Sequence, residues 1–76
     1  MVPEFKPAIL NYFAWEHLPP HLAEVSRPFA EHAQRIASIG SLPGADRAEA
    51  TVALRKLLES KDAAVRAAVS AAAASR

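Results

Sequence analysis

Aromatic side chains are concentrated near the start of this chain, where Tyr12, Phe13 and Trp15 are three of its five aromatic residues. An exposed aromatic ring can stack on a nucleobase, and a nearby arginine can bind a phosphate through its planar guanidinium. The same rings can instead cover one end of a hydrophobic core, which is the more usual role of such a cluster. Both interpretations follow from these residue types.

The other residues that could do chemistry form no catalytic pattern. The chain has no cysteine, and its histidines, His17, His21 and His32, are too few and too scattered for a closed metal site. His17 and His21 flank the Pro19-Pro20 break and therefore do not share a helical face. No glycine-rich phosphate loop and no nucleophile motif are present. We expect no enzymatic activity, no metal and no cofactor.

The overall composition excludes several further classes. Nine basic and eight acidic residues leave a formal charge of +1, whereas a general nucleic-acid binder has a marked basic excess. No apolar run approaches the roughly 20 residues that cross a bilayer, and no secretory signal is recognisable. We therefore expect a cytoplasmic protein that binds neither membranes nor polymeric nucleic acid.

Two apolar stripes with spacings of three and four residues organise most of the chain. The first stripe consists of Leu22, Val25, Phe29, His32 or Ala33, Ile36 and Ile39. The second consists of Ala50, Leu54, Leu57 or Leu58, Val65, Ala68 or Val69, and Ala72. The link at 40–44, which contains both glycines and a proline, is too short for anything but an antiparallel return. The pattern predicts an all-α hairpin.

The boundaries follow from prolines and caps. Pro7 can open a short helix over 8–15, and the Pro19-Pro20 pair ends that segment. Helices are then predicted over 21–39 and 47–74, with Asp46 as N-cap of the last and Glu49 completing a capping-box pattern. The chain divides into an N-terminal arm, 1–18, and a helical hairpin, 19–76, within a single domain.

Two positions disturb this pattern. Pro28 lies inside the first long helix, so that helix either kinks there or restarts with Ser26 as N-cap; the unbroken apolar register favours a kink. Lys61 and Asp62 interrupt the second stripe. Either the helix rolls and both reach solvent, or they form a polar layer, with the first the more usual outcome.

The small size predicts self-association. A chain of 76 residues buries only about 60% of its unfolded surface, and without disulfides or a metal the remaining source of stability is oligomerisation. One hairpin cannot bury both stripes. We expect a homo-oligomer.

The order of motifs can be set beside a known family. The motifs are FAWEHLP at 13–19, HAQRI at 32–36, ALRKLLE at 53–59 and AAVRAAV at 63–69. Together they resemble the phage hairpin-domain proteins that sequester immune signals, the anti-CBASS and anti-Thoeris nucleotide sponges. The resemblance covers about residues 13–69. Pro28, and the Lys61-Asp62 pair where the family is usually small and apolar, depart from its pattern.

The resemblance implies a function and a set of residues. Members of that family are small helical proteins that assemble as hexamers and bind cyclic dinucleotides, cyclic trinucleotides or cyclic ADP-ribose-type signals between protomers without cleaving them. Carried over, it suggests Tyr12 or Trp15 for base stacking and Arg27 for a phosphate. It also suggests Arg47 and Thr51 for a second pocket. The expected function is anti-defence sequestration of a cyclic oligonucleotide messenger.

A different class of function stays open from the residues themselves. A small helical adaptor could bind and inhibit a host protein through a hydrophobic patch of Phe13, Trp15 and Leu18. Such an adaptor would need neither a defined oligomer nor a nucleotide pocket.

Overall fold

The computed structural model describes residues 4–75, and over that range its secondary structure consists of helices, with no strand. A short 3₁₀ helix, Ala8–Phe13, is followed by two long helices, α1 (Pro20–Gly40) and α2 (Arg47–Ala74). The long helices pack against each other as a hairpin, and the 3₁₀ helix contacts both. This confirms the predicted hairpin with its short N-terminal helix. The outer limits of the predicted arm and hairpin, residues 1–3 and 76, lie outside the described range.

The N-terminal helix differs from the prediction in type and length. It was expected over 8–15, but it is a 3₁₀ helix that ends at Phe13, and Ala14 is already extended at φ −57° and ψ 136°. Runs of 3₁₀ geometry are short because their hydrogen bonds are poorly aligned. Trp15 therefore lies outside the helix, and the extended backbone before it determines the position of its ring.

Helix α1 begins one residue before and ends one residue after the predicted limits. Pro20 occupies its first turn, and the amides of Leu22 and Ala23 donate to the carbonyl of Pro19 at 2.9 and 2.8 Å. The helix continues through Pro28. The alternative of a restart capped by Ser26 is therefore wrong, because Ser26 lies within one continuous helix.

Helix α2 has the predicted limits. The Asp46 carboxylate accepts a hydrogen bond from the amide of Glu49 at 3.1 Å, which satisfies one donor of the first turn. The preceding turn contains Gly44 at φ 80°, a backbone conformation that residues with a side chain rarely adopt. Cap and turn together set the antiparallel return.

The core joins the arm to the hairpin. Phe13, Ala33 and Leu54, one from each element, form its buried centre. Small residues elsewhere in the interface, Ala37, Gly40 and Ala50, are also buried, as expected where two helices approach closely. The arm therefore supplies the largest buried ring, and arm and hairpin share one core.

The outer parts of both stripes lie at the surface. Ile39 is 54% exposed and Val69 48% exposed. Helix α2 has 28 residues against 21 in α1, so its C-terminal end extends beyond its partner, and the molecule measures 54 × 19 × 15 Å. Within residues 4–75, no helix combines the length and the apolar character that crossing a membrane requires.

Ser26 offers a test of packing inside α1. It is fully buried, and among residues 4–75 its Oγ has no hydrogen-bond partner. Replacing Ser26 with alanine should raise the free energy of unfolding by about 1 kcal/mol, because a buried hydroxyl without a partner loses its hydration on folding. Urea denaturation followed by circular dichroism measures the change.

Ser38→Ala is the matched control in the same helix. Ser38 is exposed and its Oγ donates to the carbonyl of Gln34 at 3.1 Å, so both variants share the gain in helix propensity but only one removes an unpaired buried group. A Ser26→Ala protein less stable than Ser38→Ala would contradict the account of Ser26.

Candidate ligand-binding site

A cleft opens between the arm and the outer side of α1. Its volume is about 370 Å³, which lies in the range of small-molecule pockets. The arm contributes Leu10 and Trp15 among others, and α1 contributes Ala30, Glu31 and Gln34. Phe13, which belongs to the buried core, also lines the cleft.

Trp15 lines this cleft, and Arg27 lies beside the cleft, against the Trp15 ring. The Arg27 guanidinium carbon lies 5.3 Å from the centre of the Trp15 ring, within the range of a cation–π contact. Arg27 also forms a long ion pair with Glu31, with Nε 4.0 Å from Oε1, and both side chains are more than half exposed. Such an exposed pair contributes little to stability, so the guanidinium can exchange Glu31 for another anion at small cost.

Carboxylates give the cleft a mixed polarity. Glu16 and Glu31 both line it, and Glu16 Oε2 accepts a hydrogen bond from the amide of Trp15 at 3.2 Å. Carboxylates accept hydrogen bonds from amino and hydroxyl groups, and Arg27 provides donors for an oxyanion. The cleft itself therefore offers acceptors for hydrogen-bond donors, and the Arg27 guanidinium beside it is available to a negative group.

Arg47 and Thr51 lie at the opposite end of the hairpin. Arg27 and the end of α1 at Gly40 are thirteen residues apart, which corresponds to about 20 Å of helix. Arg47 Nε donates to the carbonyl of Gly40 at 3.3 Å, and its guanidinium carbon lies 5.6 Å from the centre of the Phe5 ring. Thr51 Oγ1 donates to the carbonyl of Arg47 at 2.9 Å. These contacts hold the hairpin turn and the start of the arm together.

Tyr12 lies in another place again. It is 68% exposed and lines a second cleft of about 410 Å³, together with Lys61, Asp62 and Arg66 of α2. Within one chain, the five residues suggested for ligand binding thus occupy three places: Trp15 with Arg27, Arg47 with Thr51, and Tyr12 by itself.

The adaptor hypothesis expected Phe13 in a hydrophobic surface patch, and the structure places Phe13 elsewhere. Phe13 is only 2% exposed, so it packs in the core and is not part of a surface patch. The exposed apolar side chains near the turn are Ile39 and Leu42, which line a groove of about 530 Å³ with Ile36.

The sequence indicates that Lys61 is unusual, but it does not predict that its side chain is largely buried. The interruption of the apolar stripe marked it, but exposure to solvent was the favoured outcome. In the structure its side chain is 14% exposed and Nζ lies 2.8 Å from Asp62 Oδ1, whereas the Asp62 side chain is 47% exposed. The more usual outcome is therefore wrong for Lys61. The arm lines a cleft together with Lys61, and no local pattern in the sequence predicts the path of the arm.

Comparison with known proteins adds no further constraint: no protein-family model, no curated protein and no solved structure matches this chain. Among residues 4–75, no group of three or more histidine, aspartate or glutamate side chains is placed to hold a metal ion.

Proposed function

We propose that this protein binds a cyclic oligonucleotide signal in the cleft lined by Trp15, with Arg27 beside that ring, and sequesters it without cleaving it. The observation that supports the proposal is the meeting of these two side chains, one able to stack a base and the other able to bind a phosphate, at 5.3 Å. They come from different elements and are twelve residues apart in the chain. The resemblance to phage nucleotide sponges supplies the class of ligand.

Binding would use two kinds of interaction. A base stacked against Trp15 contributes about 1–3 kcal/mol, and Arg27 neutralises a phosphate through charge-assisted hydrogen bonds. Glu16 and Glu31 accept hydrogen bonds from the amino groups of a base or from a ribose hydroxyl. A net charge of +1 is compatible with this, because a small pocket needs only a few local cations.

Sequestration acts by mass action. A protein that binds the messenger stoichiometrically lowers the free concentration, and the effector that the messenger activates stays off. In an infected cell this would protect a phage from the host's response. No catalytic group is required, since binding alone lowers the concentration of free messenger.

The proposal includes assembly into a homo-oligomer, with the hexamer of the resembling family as the expected state. Its support is the apolar surface that one chain leaves exposed, at Ile39, Leu42 and Val69. The cleft itself is open to one side, and a neighbouring copy would close it and exclude water from the ligand.

Variants of Arg27 and Trp15 test this site. Arg27→Glu should weaken binding of the messenger by about 100-fold or more, because it replaces a charge-assisted hydrogen bond with repulsion. Trp15→Ala should weaken binding by about tenfold, the loss of one stack. Isothermal titration calorimetry against a panel of cyclic di- and trinucleotides, on protein whose mass is fixed by light scattering, gives both numbers.

Arg55→Glu is the control, since Arg55 is an exposed arginine of α2, a helix that contributes no residue to the cleft. Equal binding by Arg27→Glu and Arg55→Glu would remove Arg27 from the site. Chromatography of the bound nucleotide should recover it intact, and a cleaved product would replace sequestration with catalysis.

A protein-binding adaptor is the second candidate. The observation in its favour is the apolar groove at Ile39 and Leu42, rather than the patch around Phe13. An adaptor predicts no thermal shift with any cyclic nucleotide and a loss of partner binding in Leu42→Glu. A sponge predicts a thermal shift with its cyclic nucleotide and no host protein whose binding Leu42→Glu could remove.

A further inference from the structure

The second cleft is built from two segments that are far apart in the chain. The arm contributes Tyr12, His17 and Leu18, and α2 contributes Lys61, Asp62 and Arg66. Its volume of about 410 Å³ suits a small molecule, and its residues include two cations and an exposed aromatic ring. None of the candidate functions above uses this combination.

Lys61 is the unusual residue of the cleft. A lysine that interrupts an apolar stripe, with a side chain only 14% exposed, loses much of its hydration. Lys61 Nζ forms an ion pair with its own neighbour Asp62 at 2.8 Å, and the Asp62 side chain is 47% exposed. The carboxylate can turn into water at little cost, whereas the lysine side chain is largely buried beside the cleft. Lys61 is therefore a preplaced cation whose counter-ion can be exchanged.

Arg66 and Tyr12 complete the arrangement. Arg66 lies five residues after Lys61 on α2 and lines the same cleft, so two cations face one opening. Tyr12 is 68% exposed, a large fraction for a ring that costs free energy to keep in water, and it lines the cleft from the arm side. A ring beside two cations is the combination that binds a base together with its phosphate.

We propose that this cleft is a second binding site, for a nucleotide phosphate, in which Lys61 and Arg66 bind the phosphate and Tyr12 stacks on the base. The phosphate displaces the Asp62 carboxylate from Lys61, and Asp62 is left to accept a hydrogen bond from the ligand or from water. The site uses neither Trp15 nor Arg27, so it stands or falls separately from the sequestration cleft.

The probe for this site is adenosine 5′-monophosphate, with inorganic phosphate and adenosine as its two halves. The titration is followed by the amide signals of residues 12 and 61–66 in ¹⁵N-labelled protein. Adenosine monophosphate should bind more tightly than either half. Lys61→Gln should weaken its binding by about tenfold, the loss of one charge-assisted hydrogen bond. Tyr12→Ala should weaken binding of the nucleotide and leave binding of phosphate unchanged.

Asp62→Asn gives a result of opposite sign, which a folding defect cannot imitate. It removes the carboxylate that competes with the phosphate for Lys61, so binding of adenosine monophosphate should become tighter by a few-fold. Lys56→Gln, an exposed lysine of the same helix, is the matched control and should have no effect.

Three outcomes would contradict the proposal of a second binding site. One is equal binding by Lys61→Gln and Lys56→Gln. Another is an unchanged or weaker affinity in Asp62→Asn. The third is nucleotide binding that is lost in Arg27→Gln and kept in Lys61→Gln, which would assign the probe to the Trp15 cleft and leave the sequestration proposal intact.

Discussion

Replacing Phe13 with alanine is expected to lower the free energy of unfolding by about 3–5 kcal/mol, the usual cost of removing a buried phenylalanine. Phe13 is 2% exposed and packs with Ala33 and Leu54 at the point where the arm meets both long helices. A domain of this size has only a few kcal/mol to lose, so much of the variant should be unfolded at room temperature. Urea denaturation followed by circular dichroism measures the loss.

Tyr12→Ala is the matched control, one position away and also an aromatic residue of the 3₁₀ helix. Because Tyr12 is 68% exposed, its loss should change stability by no more than about 0.5 kcal/mol. Similar losses in the two variants would mean that the arm does not pack as described. Phe13 would then be free to act as the adaptor anchor that the sequence allowed.

Replacing Gly40 with valine is expected to cost about 1–3 kcal/mol by overpacking. A Cβ at Gly40 would lie 2.5 Å from Phe5 Cδ2 and 3.0 Å from Ala50 Cβ, so either the helices separate or the Phe5 ring leaves. The ring is the more mobile of the two. Its departure would also remove the contact between Phe5 and the Arg47 guanidinium.

A local readout separates arm release from general destabilisation. The amide of Phe5 donates to Ser41 Oγ at 3.0 Å, so its hydrogen exchange reports whether the start of the arm is docked. Gly40→Val should lose this protection. Gly44→Ala should keep it while losing about 1 kcal/mol, because an added Cβ at Gly44 meets open space but its φ of 80° is strained for alanine. Retained protection in Gly40→Val would show that the close approach is absent in solution.

The helices were predictable because their signals are local. Helix α2 has the predicted limits since Asp46 caps it and its composition favours helix throughout. The hairpin followed from a link too short for any other return. The 3₁₀ helix was the exception, since its residues fit an α-helix equally well and no local signal distinguishes the two.

The candidate sites were less predictable, because each depends on where the arm runs. Tyr12 and Trp15 are three residues apart and would share a face if the helix had continued. The chain becomes extended at Ala14 instead, so Trp15 reaches Arg27 on α1 while Tyr12 faces α2. The residue types are visible in the sequence, whereas which of them lie together depends on the path of the arm.

By itself the sequence determined the helical class, the cap, the turn and the two apolar stripes, because each depends on residues within a few positions of one another. Only the tertiary structure decided that Phe13 closes the core, that Trp15 meets Arg27 and that Lys61 is covered. These are contacts between segments distant in the chain, and they depend on the packing of the arm as a whole, which no local pattern encodes.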